Sequence, residues 1–137
     1  MKLKQNNDTM TLIDLKIEKE EIYRLNDLIE GIIGRKDVKI ELIVEEIFIN
    51  ILSYSSCDYI KADVNYENNS LIIEFIDNGK KFNPLSVENP EFPDNIETAK
   101  IGGLGLALTK TLADGVKYRY ENGENHFTLI KEIDEQS

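Results

Sequence analysis

The chain has 137 residues, with 16 Lys+Arg against 26 Asp+Glu, a formal net charge of −10 and a pI of about 4.6. That length suits one domain with one core, and apolar residues at 41% of the chain, gathered in runs such as Ile40 to Leu52 and Leu71 to Ile76, exclude disorder as the main description. A surface of this sign, with no basic stripe, repels phosphate backbones and argues against a nucleic-acid partner.

The start, Met1 to Asp8, carries two lysines with no apolar stretch behind them, and nowhere is there a run of about 18 apolar residues. A soluble, cytoplasmic protein with no membrane partner is expected. Cys57 is the only cysteine and His126 the only histidine, so neither an internal disulfide nor a Cys/His zinc site can form. Cys57 reads as a small buried or half-buried residue at a strand start, not as a nucleophile.

Thr9 to Glu18 places Thr11, Ile13, Leu15 and Ile17 on one side and Leu12, Asp14, Lys16 and Glu18 on the other, the period of a half-buried strand. Glu20 to Ile33 carries Ile22, Leu25, Leu28, Ile29 and Ile32 at helical spacing, closed by Gly31 and Gly34. Asp37 is a suitable N-cap for a second helix running to about Ser53, apolar around most of its circumference and therefore expected to be central and buried. Tyr59 to Tyr66 and Ser70 to Asp77 read as strands around the turn Glu67-Asn68-Asn69. Asn78 to Lys100 holds all three prolines and breaks every period, so it is expected to be a long functional loop. Gly102-Gly103-Leu104-Gly105 opens a third helix, Leu106 to Ala113. Val116 to Tyr120 and His126 to Ile133 form a final hairpin around Asn122-Gly123. The order implies an α/β (α+β) two-layer sandwich, a mostly antiparallel mixed sheet with helices on one face, in a single domain over 1–137.

Three places could carry chemistry. Glu46 and Asn50 are four residues apart and share a helical face. They read either as the polar edge of an amphipathic helix or as groups that need a ligand, because a carboxylate and an amide are costly in an apolar setting. An Asn oxygen suits Mg²⁺ whose other ligands are phosphates and waters. Asp77-Asn78-Gly79 ends the most apolar strand. Asn-Gly is a hairpin signal, but Lys80 to Pro84 gives no returning strand, and an Asp beside a glycine there could accept a hydrogen bond from a ligand amine. Gly102 to Gly105 is either a flexible loop or a set of backbone N–H groups facing an anion at a helix start. It is not a Walker loop, since Thr109 stands where a glycine would precede Lys110-Thr111, and it is a poor dinucleotide fingerprint.

In this order and spacing the chain resembles the GHKL (Bergerat-fold) ATPases, most closely the small bacterial anti-sigma-factor serine/threonine kinases. The resemblance runs from the first strand to Lys131, with Glu45-Glu46-Ile47-Phe48-Ile49-Asn50 as the N-box, Asp77-Asn78-Gly79 as the adenine box and Gly103-Leu104-Gly105 as the glycine-rich box. It implies ATP and Mg²⁺ as cofactors, with Asn50 on the metal, Glu46 as general base and Asp77 on adenine. Gly79 would let the purine pack, Gly102, Gly103, Leu104 and Gly105 would cover the phosphates, and residues 78–100 would form a lid. Thr128 looks like the threonine that supports the adenine side; it also reads as an ordinary β-branched strand residue. Lys81 departs from the glycine or proline usual in that box. It and Lys100 are solvated lid lysines or phosphate contacts. The implied activity is phosphorylation of a small antagonist protein in competition with sequestration of a sigma factor; the alternative is a noncatalytic nucleotide-sensing interaction module. Relatives commonly dimerise through the first strand and helix region, which allows a homodimer here. A histidine kinase is disfavoured, because 137 residues are expected to leave no room for a phosphoacceptor helix domain and His126 reads as a structural strand residue.

Overall fold

The structure, a computed structural model, describes residues 9–82 and 112–133. Its elements are β1 (Thr9–Leu15), α1 (Glu21–Ile33), α2 (Val38–Tyr54), β2 (Ile60–Glu67), β3 (Ser70–Asp77), β4 (Gly115–Glu121) and β5 (Glu124–Glu132). The five strands form one sheet in the order β1-β2-β3-β5-β4, and every neighbouring pair is antiparallel. This is the expected α/β sandwich, with an antiparallel rather than mixed sheet among the described residues.

Local chemistry sets the boundaries. β1 stops at Leu15 and not at Glu18, because the Lys16 N–H turns to the Glu21 carboxylate at 2.9 Å and Arg24 reaches back to the Asp14 carbonyl at 2.6 Å. Those bonds tie the strand's exit to the start of α1. Gly34 ends α1 in the left-handed region at φ 83°, its N–H bonded to the Glu30 carbonyl, which a Cβ would disfavour. Asp37 caps α2 as expected, its carboxylate accepting from the Ile40 N–H at 3.1 Å. Both hairpins use two-residue turns with positive φ at each position: Asn68 (51°) with Asn69 (64°), and Asn122 (53°) with Gly123 (79°). Such turns match the strand twist, and they fix the registers of β2 with β3 and of β4 with β5.

Strand alternation then sorts the sheet into two faces. One face carries the cross-strand rows Thr11, Val64, Ile73, Leu129 and Ile13, Ala62, Phe75, Phe127. It packs with Ile22, Leu25 and Ile29 of α1 and Ile43, Val44, Ile47, Phe48 and Ile51 of α2 into one core. Phe48 and Phe75 are completely buried there. The other face carries Asp14, Lys61, Ile76, His126 and Arg119 in one row and Leu12, Asp63, Glu74, Thr128 and Lys117 in the next.

α2 is largely buried, as expected, with Ile40, Ile43, Val44, Ile47, Phe48, Asn50 and Ile51 covered, but part of its apolar circumference is not. Among the described residues Val38 remains 65% and Leu42 37% exposed on the stripe turned from the sheet. The expected third helix, apart from its last two residues, lies outside the described residues. So do Asn83 to Lys100 and Gly102 to Gly105. No helix among the described residues is long and apolar enough to cross a membrane.

Candidate functional site

The last row of the core face, at the exit of β3, is Leu15, Ile60, Asp77, Asn125. Alternation aims Asp77 and Asn125 at the helices in the same way as Phe75 and Phe127 one row earlier, and both are buried, at 3% and 4% exposure. The sheet thus ends in two polar side chains where its pattern would place apolar ones.

Asp77 is held on one oxygen. Its Oδ1 accepts from the Ser55 hydroxyl at 2.5 Å, the Gly79 N–H at 2.9 Å and the Asn125 amide at 3.1 Å. No donor among the described residues reaches Oδ2. Bonds to a charged acceptor contribute roughly 1.5–3 kcal/mol each when buried, so the carboxylate is fixed with one face committed and the other available.

Ser55 is the C-cap of α2 and is 1% exposed. Gly79 packs directly on it: a Cβ at position 79 would lie 1.8 Å from Ser55 Oγ and 2.2 Å from the Ser55 carbonyl oxygen. The Lys80 N–H donates to that same carbonyl at 2.9 Å. Helix end and strand exit therefore touch with no room for a side chain, and the glycine's position is accounted for by this contact. Asn78, by contrast, turns outward and accepts from the Asp58 and Tyr59 N–H groups at 2.7 and 3.1 Å. Ser56, just past the cap, holds φ 56°, a left-handed conformation that glycine takes more readily.

Glu46 and Asn50 lie farther back on α2. With a rise of about 1.5 Å per residue they stand some 6 Å apart along the helix, and Ser55 another 7–8 Å on. Asn50 is 5% exposed, and its Nδ2 is buried with no hydrogen-bond partner among the described residues. An orphaned amide in such a place is costly, and a half-turn about its last bond would present the oxygen instead. That observation suits a hard cation or a phosphate-bound water as the missing partner. Glu46 is half-buried, and burial followed by the neighbouring Glu45 charge pushes its carboxyl above the usual carboxylate range. No cluster of three or more His, Cys, Asp or Glu able to hold a metal occurs among the described residues, so a divalent ion here would draw most of its ligands from phosphates and water.

Two expected features sit differently. Thr128 points to the opposite face of the sheet, since it pairs with Glu74 on β3 and Lys117 on β4, one residue out of phase with Asp77 and Asn125. It cannot support a ligand at Asp77 through the sheet. Asn125 and Ser55, which sequence reasoning passed over, hold Asp77 instead. Lys81 does not point free into solvent: its ammonium lies over the Tyr120 ring, 5.4 Å from the centroid. Beside it Phe82 packs against Tyr54, ring centroids 5.6 Å apart.

The remaining reactive side chains behave as read from sequence. Cys57 is half-buried, and burial, with the Asp77 charge adding, pushes its thiol up, away from a nucleophilic thiolate. His126 is in β5, its ring between Glu74 at 3.0 Å and Glu124 at 3.4 Å.

Residues 17–131 match the family described as the histidine kinase-like ATPase domain. The match spans the helices, Asp77, Asn125 and all three sequence boxes. No curated protein matches the chain.

Proposed function

The chain belongs to the histidine kinase-like (GHKL) ATPase domain family, whose members bind ATP, and from that premise we propose that it is a cytoplasmic, Mg²⁺-dependent serine/threonine protein kinase that regulates a sigma factor. It phosphorylates a small antagonist protein and, in competition, holds the sigma factor itself, alone or as a homodimer. The observation carrying this reading is the buried Asn50 amide nitrogen, without a partner among the described residues, one helical turn from a half-buried Glu46.

In this reading Asp77 Oδ2 accepts from the adenine amino group. Asn50, with the nucleotide's phosphates, holds Mg²⁺, which offsets phosphate charge when bound. Glu46 takes the proton from the attacking serine or threonine hydroxyl. Its raised pKa brings it closer to the pH at which such a base works best. Gly102, Gly103, Leu104 and Gly105 lie outside the described residues; their composition suits a phosphate-binding loop in this reading.

Calorimetric ATP titration with and without Mg²⁺, on wild type and Asn50→Ala, tests the metal role. Wild type binds more tightly with Mg²⁺ and the variant loses that difference; equal affinities under all four conditions would overturn it. Incubation with labelled ATP and a lysate tests transfer. A phosphoserine or phosphothreonine product absent with Glu46→Gln supports the kinase, whereas ATP binding without any Glu46-dependent product leaves a nucleotide-sensing interaction module.

A further inference from the structure

Asn125 satisfies both lone pairs of its oxygen and both protons of its amide within the protein. Its Oδ1 accepts from the Phe82 N–H at 3.0 Å and the Tyr118 hydroxyl at 2.5 Å. Its Nδ2 donates to Asp77 Oδ1 at 3.1 Å and to the Lys80 carbonyl at 3.0 Å, with the Gly79 carbonyl at 3.5 Å. A backbone N–H can only donate and a carboxylate or carbonyl can only accept, so these partners permit one orientation of the amide. A hydroxyl at position 125 would have a single proton and could not serve Asp77 and the Lys80 carbonyl together. β3, β4 and the strand exit at residues 79–82 therefore meet on one side chain of β5.

We propose that Asn125 is a positioning residue for purine recognition: by filling Asp77 Oδ1 and anchoring residues 80 and 82, it leaves Oδ2 as the single acceptor that selects a base with an exocyclic amine. The proposal rests on the ATP reading above and adds to it where the selectivity comes from. With Oδ1 already accepting three bonds, rotation of the carboxylate would break all of them, so Oδ2 stays aimed at the ligand. An amine there completes the carboxylate, and a base with hydrogen at that position leaves a buried charged acceptor unpaired. Losing one such bond is typically worth tenfold or more in affinity.

The test compares ATP with purine riboside triphosphate, which lacks only the amino group, by calorimetry in excess Mg²⁺. Wild type favours ATP by about tenfold or more. In Asn125→Ala the ATP affinity falls by about that factor while the analogue changes by less than about twofold, so the ratio collapses. Ser55→Ala, which removes one donor from Oδ1 and leaves the anchors of residues 80 and 82, lowers the ratio part-way and serves if Asn125→Ala fails to fold.

Asn125→Asp gives a readout that a merely structural role would not move. Two carboxyls about 3 Å apart cannot both ionise readily, so one keeps its proton to higher pH. The protonated pair restores a donor toward Oδ1, and the ATP-to-analogue ratio is near wild type at pH 5 and lost by pH 8. The neighbours do not confuse this window. Burial pushes the Cys57 thiol and the Tyr118 phenol up, the Glu124 hydrogen bond pushes the Tyr59 phenol up, and Lys80 and Lys81 are exposed. Phosphate titration is common to both nucleotides and cancels in the ratio. A ratio unchanged in all three variants, or parallel weakening of both nucleotides, overturns the proposal while Asp77-dependent ATP binding by wild type keeps the ATP reading. No ATP binding by wild type overturns both.

Discussion

Gly79→Ala separates two reasons for a glycine at the exit of β3. If the residue serves only to let a purine approach, adding a methyl group lowers nucleotide affinity and leaves the unliganded protein as stable as before. The contacts say otherwise. The new Cβ would stand 1.8 Å from Ser55 Oγ, 2.2 Å from the Ser55 carbonyl oxygen and 2.7 Å from its carbon, and two of those atoms are backbone at a helix end. Relief needs a shift of more than about 1 Å to regain ordinary contact distance, enough to break the 2.9 Å bond from Lys80 N–H to Ser55 and the 2.9 Å bond from Gly79 N–H to Asp77. At about 1 kcal/mol for the neutral bond and 1.5–3 for the charged one, the loss is about 2.5–4 kcal/mol. A domain of ordinary stability has only about 5–15 to lose. Urea denaturation of the unliganded protein measures it, and the midpoint temperature should fall by on the order of 10 °C. Adding Ser55→Gly leaves the carbonyl clash and also removes the hydroxyl's bond to Asp77, so the double variant does not recover the loss. A Gly79→Ala protein within about 0.5 kcal/mol of wild type would refute the packing account.

Glu46→Gln follows from a raised carboxyl pKa. The fold disfavours the ionised form, so wild-type stability is undiminished below the unfolded-state value of about 4.3 and falls as pH rises through the higher folded value. The variant should therefore be more stable than wild type at pH 7, with the difference vanishing near pH 4 in paired thermal melts. Asp37→Ala removes the hydrogen bond to the Ile40 N–H and should cost about 1 kcal/mol in urea denaturation, with no change in nucleotide affinity. Ser56→Gly relieves a left-handed serine beside the cap and should raise the melting temperature by a few degrees, for a gain of roughly 1 kcal/mol.

The fold was legible wherever period and turn chemistry agreed. β3 was found to the residue because an apolar run is bracketed by Asn68-Asn69 and Asn78-Gly79, and both hairpin turns lie where Asn-rich pairs predicted them. α1 and α2 were placed within a residue or two by Gly34 and Asp37. β1 was overrun because Lys16, Ile17 and Glu18 continue its alternation. A bond from Lys16 N–H to the Glu21 side chain, five residues on, ends the strand, and the apolar alternation does not announce it. The apolar stripe through Val38 and Leu42 suggested a central, buried helix, yet periodicity reports what a face is made of and not what covers it.

The site was half legible, and the missing half shows which signal was underused. Asp77 stood out as an acid closing an apolar strand. Its partners did not, because Asn125 sits in the turn-rich stretch before the predicted strand and Ser55 in a polar run after the predicted helix. Yet each obeys the period of its own element. Asn125 is two residues before Phe127 and four before Leu129, on the inward face of β5, and Ser55 is four after the buried Ile51. Thr128 enters only through the family resemblance, and the same alternation that buries Phe127 and Leu129 sends it to the far face. A polar residue that keeps the phase of the core stripe one step beyond its last apolar member must be satisfied by another such residue or by a ligand. Asp77, Asn125 and Ser55 satisfy one another, whereas Asn50, on the same helix as Ser55, has an amide nitrogen that finds no partner among the described residues, as does the Asn26 Oδ1 on α1.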